Sequence, residues 1–224
     1  MLISAPHLYG LSRAHLVEYG DVLLEKQTAL AFKTMQIAAL DAGINLQICS
    51  GFRDFKRQTM IWNAKANGSR PLLDHNGKPV NITDKTPEQI IELILLWSAL
   101  PGTSRHHWGT DLDIFDCHRI SKAQLALIPD EYRENGPCAH LHAWLKEHAI
   151  EYGFYFPYQP DLSGVSAEPW HLSYFPVAKE FIDKFEVNAL ASILKNSSVL
   201  HKEILLSHLD SLVQEYVFRV APIP

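Results

Sequence analysis

Two short stretches concentrate side chains able to do metal chemistry. Ser104-Arg105-His106-His107-Trp108-Gly109-Thr110-Asp111-Leu112-Asp113 supplies an imidazole and a carboxylate, and Glu168-Pro169-Trp170-His171 adds a second imidazole and a spare glutamate. A catalytic zinc takes three nitrogen or oxygen ligands from protein and leaves a fourth position open to water. His106, Asp113 and His171 meet that count, which leaves Glu168 free to act as a base. His106 and Asp113 are seven residues apart and would face opposite ways on one straight strand. Gly109 permits the turn that lets them converge. Pro169 drives Glu168 toward extended backbone, which keeps Glu168 and His171 close along the chain.

Each pair has a plainer reading. A His and an Asp near one strand are more often structural, and Ser104 to Asp113 alone reads as a polar turn. The metal reading rests on both stretches together. His107 is expected at the surface or in support of a ligand rather than on the metal. Cys138 and His142, one helical turn apart, have metal-ligand types, but they are expected simply to open an amphipathic helix. Trp108 and Trp170 flank the proposed ligands and read as core aromatics or as cleft walls.

Elements must position these groups. Thr28 to Leu40 has helical spacing and stops at Gly43, and Ile44 to Ser50 alternates as a half-buried strand. Asp54 caps a helix expected to run to about Ala66. Asn76-Gly77 marks a turn. Thr86-Pro87-Glu88-Gln89 is a capping-box helix start. Thr110 to Phe115 reads as a strand, with Leu112 and Ile114 on one face and Asp111 and Asp113 on the other. Ser121 to Gln124 is expected to begin a short helix. Ala139 to Tyr152 is an amphipathic helix, and Phe154–Tyr158 and Trp170–Tyr174 are strand-like. Beyond Pro176 the chain becomes short helical stretches, with a late strand expected at Tyr216–Val220.

With these motifs in view the sequence resembles a known family. SxHxxGxxxD followed by ExWH is similar to the zinc D-Ala-D-Ala carboxypeptidases and dipeptidases related to the vancomycin-resistance enzymes, peptidase family M15. Lysostaphin-type enzymes and hedgehog signalling domains belong to the wider group. Ser50-Gly51-Phe52-Arg53 and Gln58 match a further segment of that family, and the resemblance spans about residues 28 to 176. It implies an α+β fold, with helices on a small antiparallel sheet that carries zinc. It implies His106, Asp113 and His171 as ligands and Glu168 as catalytic base. Arg53 would bind the substrate's terminal carboxylate or polarise its carbonyl, which suits a guanidinium fork. Ser104, Gln58 and Ser50 would help hold substrate.

Two departures stand out. Asp111 occupies a position that is usually Ala, and could accept a hydrogen bond from a ligand histidine or compete as a ligand. Phe52 replaces a common Tyr. The implied substrates are peptidoglycan stem peptides ending in D-Ala. A D-alanyl-D-alanine carboxypeptidase is preferred, with dipeptidase, phage-lysin-like endopeptidase and L,D-carboxypeptidase as alternatives. The rival from another class is a non-catalytic module that keeps its metal for structure, which a fourth protein ligand such as Asp111 would favour.

The composition agrees with a folded enzyme. The chain has 224 residues, 47% hydrophobic and 20% charged, and its formal net charge is −5. Without a basic run there is no electrostatic footprint for nucleic acid or an anionic membrane. The three cysteines are widely spaced and form no CxxC pair, and no signal segment is read at the N-terminus, so a reducing, cytoplasmic setting is expected. Residues 1–176 are expected to form the zinc peptidase domain, and 177–224 a helical C-terminal extension packed on it. Oligomeric state is not legible.

Overall fold

The computed structural model describes residues 3–75 and 77–223. Asn76 of the expected Asn76-Gly77 turn lies outside them. The chain opens with a hairpin, β1 (Leu16–Tyr19) and β2 (Val22–Glu25), that leads directly into helix α1 (Lys26–Asp41). The Glu25 carboxylate caps α1 by accepting from the backbone N–H of Gln27 and Thr28 at 3.0 and 2.8 Å. Strand β3 (Leu46–Ser50) and helix α2 (Phe55–Ala66) follow, and Asp54 caps α2 through Arg57 N at 2.7 Å. A two-residue ladder, β4 (Leu72–Leu73) with β5 (Pro79–Val80), precedes α3 (Pro87–Leu95). Helix α3 starts on the expected Thr86/Gln89 capping box.

Strand β6 (Asp111–Asp116), helix α4 (Ala139–His148) and strands β7 (Phe154–Tyr155) and β8 (His171–Tyr174) complete the main sheet. Its order is β3-β6-β8-β7, antiparallel throughout. The chain ends in α5 (Phe175–Ile182), α6 (Val187–Lys195), α7 (Lys202–Ser207), α8 (Leu209–Val213) and a π-helical turn over Gln214–Phe218. The α+β architecture therefore stands. The expected late strand at Tyr216–Val220 is instead largely this turn, its aromatic and β-branched residues packing in the core rather than pairing. Ser121–Gln124 forms a turn, not a helix.

Two apolar clusters hold the molecule. One lies between the sheet, α1 and α4, with Phe32, Met35, Ile48, Leu112, Leu141 and Leu172. The other joins Trp62, Ile94 and Trp108 to Leu190, Leu194 and Val213 of the C-terminal helices. The expected boundary at 176/177 falls inside α5. The described residues contain no helix long and apolar enough to cross a membrane.

Gly109 sets the entry to β6. Its φ is +72°, and an added Cβ would press on the Leu16 side chain and lie 2.8 Å from Glu25 N. The turn thus places a 3₁₀ turn, Arg105–His107, beside strand β6.

Candidate active site

The 3₁₀ turn delivers His106, β6 delivers Asp113, and the first residue of β8 is His171. Ladder register sets Asp113 directly opposite His171. His106 Nε2 lies 3.4 Å from Asp113 Oδ2, and His171 Nδ1 lies 3.3 Å from Asp113 Oδ1. One donor atom from each of the three sits within 4.8 Å of the others, and all three residues are buried. Among the described residues this is the sole such grouping; Cys138 and His142 take part in none.

The ring tautomers suit a cation. His106 Nδ1 donates to Gly51 O at 2.9 Å, so Nε2 presents its lone pair toward Asp113. His171 Nε2 donates to Asp111 Oδ1 at 3.0 Å, which leaves Nδ1 facing Asp113 and Glu168. That Nδ1 is buried and has no hydrogen-bond partner. A buried nitrogen left open among two carboxylates and a second imidazole is the donor set that zinc takes, so the residues fit that metal.

Asp111 is the device that turns the ring. Its Oδ1 also accepts from Arg105 Nε at 2.7 Å, and its Oδ2 accepts from Thr110 Oγ1 at 2.6 Å and Ser173 Oγ at 3.2 Å. Arg105 Nη2 bonds Ser173 Oγ in turn at 2.6 Å. Of the two roles open to Asp111, the structure shows the hydrogen-bond acceptor. Arg105 is 3% exposed, with its guanidinium over the Trp108 ring. No motif marked it, because only the fold brings it under Asp111.

Charge states follow from the surroundings. Burial alone would raise the Asp113 carboxyl, but His106 and His171 hold it well below the usual carboxylate range. Burial, with Arg53 adding to it, lowers His106 and keeps it neutral. Burial opposes protonation of His171, but Asp111 and Asp113 outweigh it and raise the imidazole to about 9, so near neutral pH and without a cation Nδ1 holds a proton that a bound metal would displace. Burial pushes Glu168 up to about 7, against the pull of His171.

Glu168 reaches the cluster through a turn. His171 N donates to Glu168 O at 3.1 Å across Pro169-Trp170, which sets Glu168 Oε2 3.5 Å from His171 Nδ1. Arg53 Nη2 is 3.7 Å from Asp113 Oδ2, and its Nη1 donates to Gln58 Oε1 at 3.0 Å. Arg53, Ser104 and Glu168 line one cavity of about 240 Å³ with the three proposed ligands. Gln58 is fully buried behind Arg53, and its Nε2 is bound to Ala99 O. Ser50 stands opposite Asp113 in the ladder, beside a register shift, and does not line the cavity.

Three further residues bear on the site. Tyr158 sets its ring 4.7 Å from that of His171, and Lys65 lines the cavity wall. Neither stands in a motif. His107 is completely buried rather than at the surface, and its Nδ1 donates to Arg53 O. The two tryptophans divide. Trp170 lines the cavity and stacks on Trp97, whereas Trp108 sits in the core.

The sequence model of the VanY family, described as D-alanyl-D-alanine carboxypeptidase, matches residues 21–177. A relative in Haemophilus influenzae, described as an uncharacterized protein, is 36% identical over 122 residues, covering 53% of this chain and 93% of its own. A D-alanyl-D-alanine carboxypeptidase of Enterococcus faecalis is 28% identical over 140 residues, covering 61% of this chain but 42% of its own. The fold is similar to that of a vancomycin-resistance D,D-pentapeptidase VanY solved with Zn(II). That match has a TM-score of 0.53 at 24% identity and covers 74% of this chain and 82% of that one. With the family match extending over most of the sequence, the chain belongs to the VanY family of D-alanyl-D-alanine carboxypeptidases and is a peptidase.

Proposed function

We propose that this chain is a zinc-dependent D-alanyl-D-alanine carboxypeptidase acting on peptidoglycan stem peptides that end in D-Ala. The observation that carries the reading is the open, buried Nδ1 of His171, aimed between Asp113 and Glu168. Support also comes from the Enterococcus faecalis relative, a D-alanyl-D-alanine carboxypeptidase, and from the VanY structure that holds Zn(II).

His106, Asp113 and His171 would hold the metal. Bound zinc supplies Lewis-acid activation of water and of the peptide carbonyl. Glu168, buried and raised to about 7, is matched to taking a proton from the attacking water near neutral pH. It then returns that proton to the leaving amine. Arg53, pinned by Gln58, presents its free edge to the carbonyl or to the terminal carboxylate, and Ser104 adds a hydroxyl beside it. Trp170 and Tyr158 wall the cleft against bulk water.

The non-catalytic alternative called for Asp111 as a fourth ligand. Both Asp111 oxygens are instead taken up by Arg105, Thr110, Ser173 and the far edge of His171.

The test is Glu168→Gln. The variant should retain its zinc by elemental analysis and lose turnover of a D-Ala-D-Ala peptide by about 10²- to 10⁴-fold, followed by mass spectrometry. The mass released from the parent protein identifies the bond cut. Turnover by the variant at the parental rate would remove Glu168 from the mechanism.

A further inference from the structure

Helix α2 presents Gln58 and Lys65 two turns apart on one face. Both bind the chain that follows α3. Gln58 Nε2 donates to Ala99 O at 2.7 Å, and Lys65 Nζ donates to Ser98 Oγ at 2.7 Å. The Lys65 side chain therefore lies along the cavity that also holds Arg53, Ser104 and Glu168.

Lys65 is an odd residue to find there. Its hydrogen bond goes to a neutral hydroxyl, and among the described residues it has no ion-pair partner. Burial pushes its ammonium down to about 8, with Glu168 pulling in the other direction. Glu168, the carboxylate that acts on it across the cavity, makes no ion pair with it, so a partly dried ammonium is left with room for an anion that a ligand brings. Arg53, the other cation of the cavity, is held by Gln58 beside Asp113, where, of its two proposed roles, its free edge suits the reacting carbonyl rather than the terminal carboxylate.

We infer that Lys65 is a substrate-binding residue that receives the free carboxylate at the C-terminal end of the peptide. The cleft then selects chains ending in a free acid over amidated ends or internal bonds, which separates a carboxypeptidase from an endopeptidase. On the acyl side, a second cavity of about 520 Å³ shares Tyr158 and Glu168 with the first and is lined largely by apolar side chains such as Leu145, Phe154 and Phe156. This gives the peptide a direction, with its body over Tyr158 and its charged end at Lys65. The inference rests on the proposed peptidase reading, and its test separates the two.

Binding is measured by calorimetry on zinc-loaded Glu168→Gln protein. The probes are an N-acetylated tripeptide ending in D-Ala-D-Ala with a free C-terminus and its C-terminal amide. The free acid should bind about 10- to 100-fold tighter than the amide. Adding Lys65→Met should abolish that preference. Adding Lys65→Arg, which keeps the charge, or Ser98→Ala, which removes only the hydroxyl, should preserve it. A preference that survives Lys65→Met overturns the assignment. So does its loss in Lys65→Arg, its equal loss in Ser98→Ala, or failure of both probes to bind. Hydrolysis of the free acid by the parent protein is followed in parallel. Discriminating, Lys65-dependent binding without hydrolysis would sink the carboxypeptidase proposal and leave the Lys65 subsite standing.

Discussion

Two carboxylates of one strand address opposite edges of the His171 ring, and they are not interchangeable. Asp113 faces the nitrogen left open, whereas Asp111 grips the nitrogen that carries the proton. Asp111→Asn keeps the shape but removes the charge that orients and enriches the ring. Zinc affinity should fall about 10- to 100-fold in a chelator competition. The same change leaves Arg105 as a buried cation without its partner, at a cost of about 3–5 kcal/mol in urea denaturation. Parental zinc affinity in the variant would mean that Asp111 does not set the ring. At this scale the sequence is informative where chemistry is rare. Two histidines, an aspartate and a glutamate can be picked out as candidates from type and order, and the structure brings all four together. Arg105, Lys65 and Tyr158 cannot: Arg105 meets Asp111 only across the Gly109 turn and Ser173 only through the sheet, and Lys65 meets Ser98 from another element, so residue type alone does not mark them.

At the scale of elements, the site depends on a zipped pair of connectors. The segment between β3 and α2 is fastened to the 3₁₀ turn by Arg53 N to His106 O at 3.1 Å, by His106 Nδ1 to Gly51 O, and by His107 Nδ1 to Arg53 O. Gly102 N closes the other side of His107 by donating to Nε2 at 3.1 Å, so this ring is neutral. Burial holds His107 at about 3, against about 6.5 for an unfolded histidine. Between those values the unfolded chain takes up a proton that the native protein does not. Stability should therefore fall as pH drops from about 6.5 toward 3, by about 1.4 kcal/mol per pH unit from this group. Urea denaturation of the parent and of His107→Gln between pH 6.5 and 4 should differ in slope by about one proton. Equal slopes would show that the imidazole is not kept neutral.

Helix starts were legible because Asp54 and Thr86 cap through local chemistry. The β1–β2 hairpin was not, since four-residue strands of mixed burial carry little periodicity. The tail misled because Tyr216, Val217 and Phe218 suit a strand by type, and only packing against α-helical neighbours makes them a turn.

At the scale of the whole molecule, the C-terminal helices share a core with the helices that carry site residues. Trp62 of α2 donates to Leu200 O at 3.1 Å, and Asn63 exchanges bonds with Ser198 and Leu200. The tail also reaches the loop before Glu168, where Gly164 N donates to Arg219 O and Ala221 N to Pro157 O. Leu194 is completely buried in that shared core. Leu194→Ala should cost about 2–5 kcal/mol and shift the single main unfolding transition followed by tryptophan fluorescence. A separate early transition for the C-terminal helices, with the main one unmoved, would mean that they melt independently. The amphipathic spacing of these helices was readable, but a periodic apolar face does not say which neighbour it covers.

Because Asp111 pairs with Ser173 and Asp113 with His171 in the ladder, strand alignment itself is the gauge that sets the spacing of the proposed metal ligands. Sliding β6 by a single residue would turn both acids toward the apolar layer and offer Leu112 to the imidazole. An insertion or deletion between Gly109 and Asp113 would thus keep both acids in place only in steps that conserve the pleat, a constraint imposed by backbone pairing rather than by any side chain.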